Sequence, residues 1–384
     1  MCIIISAVRL ALFDSLTRLC WRTLALFTCV AQFAAAANPP ACDSAALTRQ
    51  GFDAKRLCAV LDDFQTSSLN LHGLVIERDG VLVAERYRTG KDRSVYALWP
   101  GTVAFTASTR HDLRSVSKSI TALLWGIADA EHRAPPLDAR VLDLLPQLAD
   151  LKTGGRAAIR IDDLLTMQSG LAWSEDGGYG WHNPELGLYW RGSQARYLFD
   201  RPVQSRPGTV FNYNGGNTAV LAQLLSARVG MSLSAYAASR LFAPLGISDW
   251  EWLDDLRGRP LAFSGLRMRP RDLAKIGRLV LQHGQWEGRQ IVPAAWIDAM
   301  LQPRTDAGHS RQYGYQWWLG KVATKGGERS WAAAYGNGGQ RLYIVPSLGL
   351  VVVLTAGMYN DEAGAIAVNK LLARIAGAAG GPFR

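Results

Sequence analysis

Past Cys58 the sequence contains no cysteine, and the five it has, at positions 2, 20, 29, 42 and 58, crowd near its beginning. That excludes a densely cross-linked scaffold and a cysteine-built metal module. The six histidines, at 72, 111, 132, 182, 283 and 309, lie too far apart for a metal-ligand spacing, so neither a metal nor a cofactor is expected. Long runs of like charge are missing as well. The formal net charge of +10 is spread over scattered lysines and arginines, which argues against nucleic acid as a partner. Also absent is a G-x-S-x-G elbow: "MQSGL" and "AFSGL" both lack the first glycine, which disfavours a Ser-His-Asp α/β-hydrolase. No internal repeat and no long linker divides the chain.

What remains is a globular composition, 48% hydrophobic and 19% charged over 384 residues, with enough apolar material for a substantial core. Residues 1–37 read as an export signal: Arg18 and Arg22 precede the apolar stretch "TLALFTCVAQF", which gives way to "AAAA" before Asn38. A retained anchor is the competing reading, and membrane association is expected only in that case. Three of the five cysteines fall inside this segment. Cys42 and Cys58 then remain in 38–384, able to form one disulfide in an oxidising compartment, and the expected location is the periplasm or the exterior. Oligomeric state is not legible.

"GLVIERDGVLVAERYRTG" alternates around Asp79-Gly80 as a β-hairpin does. "QRLYIVPSLGLVVVLTAG" reads as a second hairpin, preceded by an aromatic strand at 313–320. Two N-terminal and three C-terminal strands predict one antiparallel sheet of about five strands assembled from both chain ends. "AKRLCAVLDDFQ" and "GAIAVNKLLARIAG" have helical spacing suited to covering one face. The intervening region, roughly 133–310, is predicted to be a mainly helical insertion in a single α/β (α+β) domain spanning 38–384.

The chemistry centres on "HDLRSVSKSITALL", residues 111–124. Ser115 and Lys118 share a helix face one turn apart, where an almost wholly apolar helix begins. A serine there needs a base, and a lysine serves if burial drives its pKa down towards neutrality. In "RPGTVFNYNGGNTAVLAQLL" a Pro-Gly turn leads to Tyr213, whose phenol can relay protons beside an ammonium. The plainer readings are an N-cap serine with a surface lysine, and a tyrosine packed in a core.

Taken together, "SVSK", the tyrosine of "FNYNGGN" and the late "YGNGGQ" resemble the three motifs of the β-lactamase-related serine hydrolases, a group of class C β-lactamases, DD-peptidases, esterases and 6-aminohexanoate-dimer hydrolases. "IDDLLTMQSGLAW", "LRMRPRDLAKIGRLVL" and "YGYQWWL" are similar too, and the likeness spans about 70–375. The ending Gly338-Gly339-Gln340 most resembles the 6-aminohexanoate-dimer hydrolase-like branch. The resemblance implies a β-lactamase/transpeptidase-like fold and an acyl-enzyme on Ser115, with Lys118 and Tyr213 as acid/base partners. It also implies an oxyanion hole from the backbone N–H groups of Ser115 and Asn337.

Two departures bear on substrate. The family's Tyr-x-Asn is not met, since Gly215 follows Asn214, and Asn217 is the candidate replacement. No lysine or histidine stands before "YGNGGQ" to pair with a substrate carboxylate, so a penicillin-like β-lactam is not the expected substrate. Trp173, Glu175, Tyr179 and Trp181, in a segment rich in aromatics and acids, together with Gly338, are further candidate substrate contacts for a small ester or amide. A non-catalytic, penicillin-binding-like sensor on the same fold is the alternative function.

Overall fold

In a computed structural model, residues 42–175 and 182–380 are described. Helix α1 (Ala54–Thr66) leads into strands β1 (Leu71–Arg78) and β2 (Val81–Tyr87). Helix α2 (Val116–Ala130) follows, then helices α3 (Gly215–Val229) and α4 (Pro270–Leu281). Strands β3 (Trp318–Thr324), β4 (Gly327–Gly336), β5 (Gln340–Val345) and β6 (Leu350–Ala356) come next, and helix α5 (Glu362–Ala378) ends the fold. The strands form one antiparallel sheet in the order β3-β4-β5-β6-β1-β2, extended beyond β3 by two-residue strands at 312–313 and 305–306. Chain ends meet where β1 pairs with β6, Val75 opposite Val353. The sheet therefore has eight strands where about five were expected. The three not expected are β4 and the two edge strands, the latter too short to show an alternation, and β3 starts at Trp318, later than the aromatic run suggested.

Both faces of this sheet are covered, which is why "LVVVLTA" is apolar throughout instead of alternating with polar residues. Val351 and Val353 of β6 and Leu342 and Ile344 of β5 join one core with α2 and α4. Val352, Leu354, Tyr343 and Val345 face a second core, closed by Leu57 and Phe64 of α1 and Leu372 and Ile375 of α5. The two helices predicted to share a face do so. Among the described residues, no helix is long and apolar enough to cross a membrane. Cys42 and Cys58 are joined by a disulfide that ties the N-terminal end of the described chain to α1.

Between α2 and the edge strands lie helices, 3-10 turns and a small sheet in which His111–Asp112 pairs with Leu266–Met268 and that strand with Trp250–Trp252. This small sheet fixes where α2 begins. Helix α2 is buried from Val116 to Ala128, and its polar residues bond outward to backbone. Ser117 Oγ donates to Arg114 O and accepts from Leu266 N; Ser119 Oγ donates to Gln316 O. Gly126 lets the helix touch Trp296, since a β-carbon there would lie 2.1 Å from the indole. Buried hydroxyls satisfied in this way allow "SVSKSIT" to run through a core.

Candidate active site

Ser115 caps the start of α2 without spending its hydroxyl on the cap. The preceding Arg114 is held at φ +52, a left-handed conformation uncommon outside glycine, and this kink turns the serine to the helix mouth. Lys118 Nζ lies 2.9 Å from Ser115 Oγ, 3.0 Å from the carbonyl oxygen of Phe263 and 3.4 Å from Glu185 Oε2. The lysine is completely buried, and its ammonium stands 4.8 Å from the centroid of the Tyr213 ring. Tyr213 and Ser115 both line the same cleft. The three residues singled out from the sequence are thus brought into contact.

The electrostatics differ from the sequence expectation. Burial by itself depresses Lys118, yet the electrostatic pull of Tyr213, Glu185 and Glu175 outweighs it and holds the group above the ordinary lysine range. Tyr213 is also raised, by burial first, with the lysine charge opposing. Burial, and then the adjacent Glu185, push Glu175 up to about 7. Burial was expected to move Lys118 towards neutrality; Tyr213, and then two buried carboxylates with no motif of their own, favour the ammonium. Those carboxylates are firmly placed. Glu175 Oε1 accepts from Trp173 Nε1 (2.8 Å) and Gly215 N (2.6 Å), and Asn183 Oδ1 accepts from Glu185 N (2.9 Å).

A cleft of about 830 Å³ opens over Ser115, lined also by Glu175, Tyr213, Trp318, Asn337 and Gly338. Asn337 is fixed by reciprocal bonds with Asn360: its Nδ2 donates to Asn360 Oδ1 at 2.7 Å, and its Oδ1 accepts from Asn360 N at 2.9 Å. Gly338, at φ +92, passes so close to Tyr359 that a β-carbon would come within 2.6 Å of the ring. Only glycine suits that combination of backbone and contact.

Other candidates are placed elsewhere. Trp173 is buried and does not line the cleft; it packs between Arg201 and Tyr197 and orients Glu175. Asn217 is fully buried in α3 with its side-chain amide towards Met167, so it does not replace the missing third-position amide. The asparagines that do line the cleft are Asn183, Asn212, Asn337 and Asn360. Tyr179 and Trp181, and the proposed signal segment 1–37, lie outside the described residues.

The sequence offered no cation on the last-motif strand, but the structure brings two arginines to the cleft. Arg341, one residue past the "GGQ", is buried and stacks on Tyr335 at 4.1 Å, donating to the carbonyls of Gly336 and Gln340 and to Asn369 Oδ1. Arg311 stacks on Trp318 from another segment at 5.1 Å. Among the described residues neither forms an ion pair with a carboxylate.

The sequence profile of the beta-lactamase family matches residues 74–374, the stretch that holds the sheet, Ser115, Lys118, Tyr213 and Asn337. The chain belongs to the beta-lactamase family. It is 28% identical over 301 residues to the 6-aminohexanoate-dimer hydrolase of Paenarthrobacter ureafaciens, covering 73% of this chain and 70% of that protein. A D-aminopeptidase of Brucella ovis is 34% identical over 156 residues, which are 40% of this chain but only 28% of that enzyme. The solved structure of EstCE1, described as a hydrolase with promiscuous acyltransferase activity, superposes with a TM-score of 0.66 at 16% identity, covering 87% and 98% of the two chains; at that identity the match speaks for the fold alone. Beta-lactamase family membership agrees with the family likeness carried by the three motifs. It leaves open which ester or amide is cut.

Proposed function

We propose that this protein is an exported serine hydrolase that cleaves an ester or amide bond of a small molecule through an acyl-enzyme on Ser115. The observation that carries this reading is the 2.9 Å contact between Ser115 Oγ and a fully buried Lys118 Nζ at the floor of an open cleft. Export is supported by the Cys42–Cys58 disulfide, a bond that persists in oxidising compartments.

The partners of Lys118 suit two protonation states. As an ammonium it donates to Ser115, Phe263 O and Glu185; as an amine it donates to the latter two and receives the serine hydroxyl. Its raised pKa makes the ammonium the resting form, so the reactive form is the one in which the Ser115–Lys118–Tyr213 set has lost one proton. Ser115 Oγ then attacks the carbonyl carbon while its proton passes to the Lys118–Tyr213 pair. The oxyanion is held by the N–H groups of Ser115 and Asn337. Collapse breaks the scissile bond as the pair protonates the leaving group, and water repeats the sequence to free the acid. Arg311 and Arg341 support a substrate that carries a carboxylate on the side of β4 and β5.

The test is intact-mass spectrometry after brief exposure to a fluorophosphonate, with Ser115→Ala alongside, followed by turnover of p-nitrophenyl esters and linear amides. Labelling confined to the Ser115 protein, with turnover, is expected. A folded protein that resists labelling would overturn the reading, and labelling with no turnover of any ester or amide would favour the sensor alternative.

A further inference from the structure

His72 of β1 and His111 of the small sheet meet although 39 residues separate them. Nδ1 of His72 is 2.8 Å from Nε2 of His111. The outer nitrogen of each ring is committed elsewhere. His111 Nδ1 faces the carbonyl oxygen of Asp112 at 2.9 Å, which can only accept. His72 Nε2 faces Asn70 Oδ1 at 3.1 Å, and the Asn70 amide cannot flip: its Nδ2 donates to Lys91 O at 2.6 Å while its Oδ1 accepts from Lys91 N at 3.0 Å. Both outer nitrogens therefore carry hydrogen. In neutral rings that leaves a lone pair on each of the two nitrogens that face each other.

A carboxylate completes the convergence. Asp92 Oδ1 lies 3.9 Å from His111 Nε2, and one ligand atom from each of the three residues falls within 4.8 Å of the others. Asp92 is itself oriented by the Tyr359 hydroxyl, which donates to it at 2.6 Å. Phe105 stacks on His72 at 4.2 Å and shields the pair from water. Two facing lone pairs beside a carboxylate make an electron-rich point that requires a cation.

We propose that His72, Asp92 and His111 form a structural site for a divalent metal ion of the zinc class. Two imidazoles and a carboxylate are a donor set suited to such an ion. Outer ring N–H groups held by carbonyl oxygens are the usual support of metal-bound histidines, fixing tautomer and ring plane. A shared proton would satisfy the two nitrogens but leave Asp92 beyond hydrogen-bond reach, whereas a metal engages all three. Bonds of about 2.0–2.2 Å require the imidazoles to part slightly and the Asp92 side chain to swing inward. The ion would tie together β1, the segment at Asp92 and the strand at His111, four residues before Ser115 in the chain, a role that does not depend on the hydrolase reading.

The test uses the full chain after chelator treatment and desalting. Zn²⁺ titrated by calorimetry, with elemental analysis of the desalted product, is expected to give one ion per chain and a higher melting temperature. Co²⁺ should produce the visible bands of a low-coordinate nitrogen and oxygen site. His111→Gln and Asp92→Asn are each expected to weaken binding at least about 10-fold, while His283→Gln, at an exposed position, leaves it unchanged. Binding equal in all four proteins, or none in the wild type, would overturn the proposal. If the ligand variants fail to fold, the wild type decides it: ¹⁵N shifts of the two rings must move on Zn²⁺ addition, and shifts that stay those of a proton-sharing pair would refute the site.

Discussion

Replacing Glu185 by Gln removes one charge from beside Lys118 and keeps the side-chain shape. The carboxylate sits 3.4 Å from Nζ, so at an effective dielectric constant of about 20 the pair is worth about 5 kcal/mol, equivalent to a ceiling of about 3.5 pKa units. The measured change must be smaller. The glutamine amide oxygen still accepts from the ammonium and keeps part of the interaction. A drop of about 1–2 units in the apparent pKa of the Lys118–Tyr213 pair is expected on that ground. The sign follows from the raised Lys118: turnover needs the set to have lost a proton, so activity rises with pH through the pair's apparent pKa. Lowering that pKa moves the acidic limb of the kcat/KM profile to lower pH. The assay is kcat/KM for one ester from pH 7 to 10 in wild type and Glu185→Gln at constant ionic strength, where both profiles are still rising because the pair titrates high, so the shift reads as a larger kcat/KM for the variant at each pH. A limb that stays in place, or moves to higher pH, would refute the assignment of that limb to the Lys118 proton.

Three further outcomes can be measured directly. Arg341→Gln should lower kcat/KM at least about 10-fold for a substrate bearing a carboxylate and leave a neutral ester within about 2-fold, because one charge-assisted bond is lost only for the anion; steady-state kinetics on a matched substrate pair decides it. Gly126→Ala should destabilise the fold by about 1–3 kcal/mol, since the new methyl meets the Trp296 indole at 2.1 Å, and urea unfolding reads the difference. Reducing the Cys42–Cys58 bond, which spans 16 residues, should cost about 3 kcal/mol, visible as a lower melting temperature with dithiothreitol in the wild type and no change in a Cys42→Ala/Cys58→Ala variant.

The parts of this protein that were legible in its sequence are those governed by local period. The hairpin at Asp79-Gly80, the two covering helices and the one-turn spacing of Ser115 and Lys118 all follow from repeats of two or of three and four residues. Of the eight strands, β4 and the two edge strands were not legible; a two-residue strand such as 312–313 is defined by its partner alone. Asn217 was read as the stand-in for the family's Tyr-x-Asn amide, and Trp173 as a substrate contact from composition, but an indole with a cation on one side and a carboxylate at its N–H packs as well as it binds.

The charge state of the site was the least legible part, and for a physical reason. Lys118 by itself obeys the rule that burial lowers an ammonium, and that rule was all the local sequence could supply. What reverses it comes from Tyr213, and then from Glu185 and Glu175, which lie 67 and 57 residues away on a 3-10 turn and a loop. Arg311 and Arg341 likewise reach the cleft from different segments, so a missing cation in one motif did not mean a missing cation in the site. Electrostatic function is a sum over neighbours in space, whereas a motif reports neighbours in sequence. The proposed nucleophile could be picked out from four residues, but the pH at which it would work depends on carboxylates that no short pattern contains.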